Sequence, residues 1–348
     1  MKMFVYTHRI DCDGLCSAAI LKRYMDSKGI DGNIDFINYD PPEDLERIFR
    51  NISEMNGDSE VIIADFGYND NLKDYADSCI KKFSSNGGKL AWLDHHKWDN
   101  TFLENLRKHA DITLAKSDEL CGAELVYNRY MKGDDVSEAI AKIGRDSDID
   151  EWKTSPPKAK YSLTDPLGSL ITYYNYLGTD NKTERRDLLM SIVDKLSTAS
   201  LDDILSTDFD GPLFDGKLER DWNEYKHLSE LKMKECIDNA TEFSVGGDRY
   251  VVGFSDRILS SSYSGNGLIR QYNADVSIVF HNDGGMSFRR SSNNSAIKCD
   301  RLANLFEGGG HEYASGGRMH IRIKDDKDIS EAKKLIERTI RNFYKEKG

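Results

Sequence analysis

No run in this chain is apolar for long enough to cross a membrane. The stretch Met3 to Tyr6 is too short for the core of a secretory signal, so a cytoplasmic protein with no membrane partner is expected. No CxxC pair occurs among the six cysteines at 12, 16, 79, 121, 236 and 299. Cys12 and Cys16 are wrongly spaced for a zinc knuckle, which leaves free thiols in a reducing compartment as the expectation. A surplus of positive charge is also missing. Lys and Arg number 48 against 60 Asp and Glu, a net charge of −12. That balance argues against a broad basic face for long duplex nucleic acid and for a short substrate held by a few local cations. There is no internal repeat and no low-complexity segment.

What is present is an α/β pattern in a chain of 348 residues, long enough for two domains. Strand-like runs at 3–7, 34–39, 61–65 and 90–94 alternate with helical segments from Gly14, from about Glu43 and over 70–83. Asp111 to Ala115 offers a further strand, and Ser117 a cap for a helix containing Leu120, Glu124, Leu125 and Tyr127. The alternation predicts a parallel, Rossmann-like sheet with right-handed crossovers. Residues 137–176 read as mostly helical with a break at Ser155-Pro156-Pro157, and 180–240 as charged helices broken at 208–216. From about 241 the texture changes to hairpins. Strands are expected at 243–245, 250–254, 276–280, 286–288 and 319–323, helices near 258–272 and 299–306, and an amphipathic helix over Ile329–Tyr344. The expected organisation is an N-terminal parallel-sheet domain over 1–185, a helical connector over 186–240, and a smaller α/β C-terminal domain with a mixed sheet over 241–348, with a cleft between the two domains.

Three strand-like runs end in chemistry. Met3–Thr7 leads into His8, Asp11 and Asp13; Val61–Ala64 leads into Asp65; Leu90–Leu93 leads into Asp94, His95 and His96. Ligands of open α/β sheets bind outside the carboxyl ends of strands, so four carboxylates and three imidazoles should meet at one edge. Gly14 permits the tight reversal after Asp13. Any one His-Asp pair would ordinarily be a surface hydrogen bond, but three such clusters on successive strands point to a metal site. Oxygen donors with a few imidazoles and no thiolate suit Mn²⁺ or Mg²⁺ better than Zn²⁺. Two ions about 3.5–4 Å apart would stabilise both oxygens of a phosphoryl displacement and acidify a bridging water.

These motifs resemble the DHH phosphoesterase superfamily with its DHH-associated C-terminal domain, and within it the nano-RNase, oligoribonuclease and pAp-phosphatase-like members. Thr7-His8-Arg9-Ile10-Asp11-Cys12-Asp13-Gly14 is similar to the first motif, Asp65 to the second, and Asp94-His95-His96 to the third. Ser287-Phe288-Arg289 and Gly308-Gly309-Gly310-His311 resemble the signature pair of the C-terminal domain. The gap from His8 to Asp11 differs by one residue from that common in relatives. The resemblance implies that His8, Asp11 and Asp65 hold one metal, and that Asp13, Asp65, His95 and a late aspartate hold the other. Asp146, Asp148 and Asp150 all lie near the place of that aspartate, and Asp148, four residues after Gly144, is favoured. His96 would face the scissile phosphate, oriented by Asp94. Arg289, Gly309, Gly310 and His311 would bind substrate, the arginine as a bidentate fork and the glycines through exposed amides.

The expected function is therefore a two-metal phosphodiesterase, using Mn²⁺ or possibly Mg²⁺. It would cut short oligoribonucleotides or linear dinucleotides to mononucleotides, with 3′-phosphoadenosine 5′-phosphate a possible monoester substrate. Competing expectations are cyclic-dinucleotide hydrolysis, phosphoanhydride hydrolysis of pyrophosphate or polyphosphate, and a non-catalytic nucleic-acid-binding factor. A homodimer is implied only by the resemblance.

Overall fold

A computed structural model of the chain describes residues 2–39, 42–68, 70–116, 119–150, 159–178, 181–206, 216–291, 296–310 and 312–345. The chain divides into two compact units, Met1–Trp222 and Asn223–Gly348.

In the first unit, strands β1 (Lys2–His8), β2 (Gly32–Ile37), β3 (Ser59–Ala64), β4 (Lys89–Asp94) and β5 (Asp111–Leu114) form one sheet. Their order is β2-β1-β3-β4-β5 and every pair is parallel, as the alternation predicts. Register decides what matters for function. Thr7 pairs with Ala64 and Ala64 with Leu93, so His8, Asp65 and Asp94 each follow an aligned position on three neighbouring strands.

Helices α1 (Cys12–Lys28), α2 (Pro42–Glu54), α3 (Lys73–Ser85) and α4 (Asn100–Leu106) supply the connections, and α5 (Gly122–Val126) follows β5. One face of the sheet is closed by an apolar core in which Leu45, Ile48 and Phe49 of α2, Ile80 and Phe83 of α3 and Phe102 of α4 meet Tyr6, Ile63 and Trp92. Helix α1 is buried nearly all round; its Cys, Ser and Ala side chains are small enough for neighbouring helices to approach closely. It starts two residues before the expected Gly14, because the side chain of Asp11 caps it by accepting from Gly14 N at 2.9 Å. It stops at Gly29, a left-handed cap with φ 60°.

After Gly133 come α6 (Asp135–Arg145), a π-helical turn over Asp146–Asp150, α7 (Thr164–Leu177), α8 (Lys182–Thr198), α9 (Leu201–Leu205) and α10 (Lys217–Asp238). The segment expected as a connector is divided between the units: α8 packs on α1, and the boundary falls inside α10. The expected cap at Ser117, the break at 155–157 and all but the last residue of the break at 208–216 lie outside the described residues. Leu120, expected inside a helix, precedes α5, whose cap is Cys121.

The second unit holds a mixed sheet of β6 (Thr241–Val245), β7 (Asp248–Phe254), β8 (Val276–Phe280), β9 (Gly285–Arg290), β10 (Gly309–Gly310) and β11 (Ala314–Arg318), in the order β10-β11-β9-β8-β7-β6. Strands β7 and β8 run parallel, joined by α11 (Ser261–Tyr272); the other pairs are antiparallel. Helix α12 (Cys299–Ala303) and the C-terminal α13 (Asp326–Lys345) complete it, with Ala332, Ile336 and Ile340 of α13 in the core. One expected strand is corrected. Residues 319–323 alternate like a strand, but Met319 N and Ile323 N donate to Gly284 O and Asn282 O in the β8–β9 turn, not to a ladder. The strand is the preceding Ala314–Arg318, whose glycines let it lie flat against β9. Among the described residues no helix is long and apolar enough to cross a membrane.

Candidate metal centre and its acidic cluster

The carboxyl ends of β1, β3 and β4 deliver their polar residues to one place. His8, Asp11 and Asp65 bring ligand atoms within 4.8 Å of one another, as do Asp13, His95 and Asp148, and Asp65, Asp94, His95 and His96. His95 Nε2 lies 3.2 Å from Asp65 Oδ1, 3.5 Å from Asp148 Oδ2 and 3.7 Å from Asp13 Oδ2. His8 Nδ1 approaches Asp11 Oδ2 at 2.6 Å. The structure therefore brings together His8, Asp11, Asp13, Asp65, Asp94, His95, His96 and Asp148.

The backbone that places them is unusual at Asp65, which sits at φ 53°, left-handed for a non-glycine residue. Its N–H still donates to Leu93 O at 2.9 Å, so the chain leaves the sheet directly after the last ladder bond. Trp92 Nε1 holds the next carbonyl, Phe66 O, at 2.7 Å. Asp13 accepts from Gly122 N at 2.6 Å and Ala123 N at 2.8 Å, which ties the start of α5 to the cluster. A Cβ at Gly122 would lie 2.5 Å from Asp65 Cβ, and one at Gly144 2.8 Å from Asp13 Oδ1. Both glycines are there because nothing larger fits.

Asp146, Asp148 and Asp150 separate by their partners. Asp146 is buried and accepts from Lys160 N, Tyr161 N and Thr164 Oγ1, so it anchors the start of α7. Asp150 Oδ2 pairs with Arg145 Nε at 3.3 Å. Asp148 is the one that faces His95.

The electrostatics follow from burying like charges together. Burial and then the charge of Asp13 push the Asp65 carboxyl well above the carboxylate range. The same two causes push Asp148 to about 7. Asp94 is opposed by burial, yet His96 and Trp98 hold it below its ordinary value. Its Oδ1 is 2.7 Å from His96 Nδ1 and its Oδ2 accepts from Trp98 Nε1 at 2.6 Å. Desolvation opposes the charging of His96, but the hydrogen bond and charge of Asp94 outweigh it and raise the imidazole to about 9. Nε2 of His8, Nδ1 of His95 and Oδ2 of Asp65 are buried and make no hydrogen bond among the described residues. Buried polar atoms seldom stay unpaired, and buried carboxylates seldom gather without a cation. The donor set, carboxylates with imidazole and no thiolate, fits a hard divalent metal.

The expected substrate residues lie in the second unit. Arg289 on β9 pairs across the sheet with Ala314, and its Nη2 reaches Ser262 Oγ at 3.4 Å. Gly309 and Gly310 form β10, paired with Gly316 and Ser315. His311 lies outside the described residues. Sequence reasoning missed Gly122, Trp98 and Tyr39; it used Gly144 only to place Asp148, and weighed Asp146 as a metal ligand where the structure makes it the anchor of α7. Trp98 carried a signal, standing four residues after Asp94 with an indole N–H to place; Gly122 carried none beyond its identity.

A parallel sheet whose strand ends gather carboxylates and imidazoles defines an α/β domain with the donor set of a divalent-metal site. The profile of the DHH family's N-terminal domain matches residues 2–145. Over this stretch the chain is similar to the DHH family's N-terminal domain. No curated protein matches the sequence significantly. Among solved structures, RecJ of Thermus thermophilus in complex with Mn²⁺ has a TM-score of 0.56 at 13% identity, over 99% of this chain and 52% of that one, so this chain spans about half its length. An exonuclease RecJ bound to manganese gives 0.53 at 13%, over 99% and 90%. An exopolyphosphatase-related protein from Bacteroides fragilis gives 0.52 at 16%, over 97% and 92%. At these identities the likeness is one of fold.

Proposed function

We propose that the protein is a metal-dependent phosphodiesterase that hydrolyses short oligoribonucleotides or linear dinucleotides to mononucleotides. The observation that carries this reading is the convergence of His8, Asp11, Asp13, Asp65, His95 and Asp148, with buried donor atoms left unpaired. His8, Asp11 and Asp65 would hold one ion, and Asp13, His95 and Asp148 with Asp65 a second; Mn²⁺ suits the donors, with Mg²⁺ the alternative. Such ions supply Lewis acidity, neutralising charge on the attacking and leaving oxygens and lowering the pKa of water.

The chain's own groups do the rest. His96, held by Asp94, keeps its Nε2 for the phosphoryl oxygens or the leaving group. Trp98 fixes Asp94 from the other side. Arg289, Gly309, Gly310 and His311 are proposed to bind a substrate phosphate. The net charge of −12 supports a short substrate over a long duplex. Six free, buried cysteines support a reducing, cytoplasmic setting.

The test is turnover with Mn²⁺ of a labelled RNA length series beside a cyclic dinucleotide and polyphosphate. Cleavage confined to the shortest RNAs is expected. Preference for the cyclic compound or release of phosphate from polyphosphate alone would overturn the substrate assignment. No metal-dependent turnover of any of them would overturn the enzyme.

A further inference from the structure

A fourth strand end also reaches the site. Tyr39 follows β2 by two residues. Its ring stacks on Phe66 at 4.3 Å between centroids and 19° between planes, and meets the edge of His8 at 5.8 Å. Its hydroxyl oxygen accepts from Gly67 N at 2.9 Å. A Cβ at Gly67 would lie 2.9 Å from that oxygen and 3.2 Å from His96 Cβ, so the hydroxyl stands next to the base of His96. Phe66 and Gly67 are in turn held by Trp92 Nε1 on Phe66 O. The phenol is thus fixed at both ends, with one lone pair used by Gly67. Its own proton has no acceptor among the described residues. A phenol beside carboxylates would ordinarily donate to one of them; this one is turned so that a backbone N–H uses the oxygen and the proton is left over.

We infer that Tyr39 is a further catalytic residue: its hydroxyl donates a hydrogen bond to a non-bridging oxygen of the phosphate that His96 faces. A donor held by stacking and by Gly67 needs no reorganisation when charge builds on that oxygen. The inference rests on the phosphodiesterase reading above, and its test separates the two.

The protein would be assayed with Mn²⁺ on bis(p-nitrophenyl) phosphate and on a dinucleotide, with Mn²⁺ affinity measured separately by calorimetry. Wild-type turnover that disappears with EDTA supports the reading; its absence overturns the reading and the inference together. Given turnover, Tyr39→Phe should lower kcat about 10- to 100-fold, the worth of one hydrogen bond to a charged group, with KM changed far less and Mn²⁺ affinity within about twofold. Because Phe also strips Gly67 N of its acceptor, p-aminophenylalanine at position 39 serves as the second variant. It restores an N–H donor and should recover at least about tenfold of the lost kcat. An unchanged kcat in Tyr39→Phe would overturn the inference while leaving the phosphodiesterase standing. A parallel loss of Mn²⁺ affinity, or no recovery with p-aminophenylalanine, would reduce Tyr39 to a support of the fold.

Discussion

Adding one methyl group at Gly122 should damage the centre without replacing any of its ligands. In Gly122→Ala the new Cβ would stand 2.5 Å from Asp65 Cβ, 2.9 Å from Asp65 Cα and 3.1 Å from Asp13 Oδ2. Carbon atoms settle no closer than roughly 3.5 Å, so about 1 Å must be found. Asp65 is poorly placed to give it, being left-handed and tied to Leu93 O. The start of α5 must therefore withdraw, and that lengthens the two bonds from Gly122 N and Ala123 N to Asp13. Overpacking costs about 1–3 kcal/mol and a weakened hydrogen bond to a charged group about 1 kcal/mol more, so a loss of about 2–4 kcal/mol is expected. In a unit of this size that is about 5–15 °C of melting temperature. Mn²⁺ affinity should fall at least about tenfold, since Asp13 loses the two N–H donors that hold its carboxylate in place. Thermal unfolding with and without Mn²⁺, together with calorimetric titration, reads both. A melting temperature and an affinity equal to wild type would refute the packing argument.

Asp65→Asn should raise the melting temperature of the metal-free protein, because it removes a carboxylate that its neighbours disfavour, and Asn accepts left-handed backbone. The same variant should lose Mn²⁺-induced stabilisation and turnover; a variant that still gains stability from Mn²⁺ would contradict the ligand assignment. Trp98→Phe leaves the buried Asp94 Oδ2 without its indole donor, and about 1–3 kcal/mol of stability should go with at least a tenfold drop in kcat; a drop in stability alone would confine Trp98 to packing. The third concerns acid. Burial, then the charge of Arg257, hold the His281 imidazole down at about 4 against an ordinary 6.5. The unfolded chain takes up that proton first, so stability present above pH 6.5 is lost as the pH falls to 4, about 3 kcal/mol in all. His281→Asn keeps a donor for Ser255 O, which His281 Nδ1 now meets at 2.8 Å, and should flatten the acid limb of a urea-unfolding series by that amount. Identical limbs in the two proteins would exclude His281 as the cause.

The strand ends were legible because parallel strands announce themselves as apolar runs and because Asp65 and Asp94-His95-His96 sit where such runs stop. The choice of Asp148 over Asp146 and Asp150 rested on its spacing from Gly144 alone, not on the acids themselves. Three acids at alternate positions in a π-helical turn look alike in sequence, and the turn's own geometry decides which faces His95, which faces Lys160 N and which faces Arg145. The strand at 314–318 was hidden for a different reason: Ala-Ser-Gly-Gly-Arg has no apolar alternation, and its pairing with β9 depends on glycines that read as a loop. Gly122 and Tyr39 were illegible because their importance lies in contacts with residues far away along the chain, Asp13 and Gly67, that no local pattern reports.

The strand order also fixes a timetable. Strand β1 is made before the others yet lies inside the sheet, between β2 and β3. Its second edge can close only when residues 59–64 have left the ribosome, more than fifty residues later, a wait of about 3–10 s at ordinary elongation rates. During that interval Phe4, Val5 and Tyr6 present one unpaired apolar edge to the cell. His8 waits with them: Asp65, whose carboxylate gathers with it and Asp11, arrives only with the end of β3, so the acidic cluster stays incomplete for as long as that edge is open to mispairing.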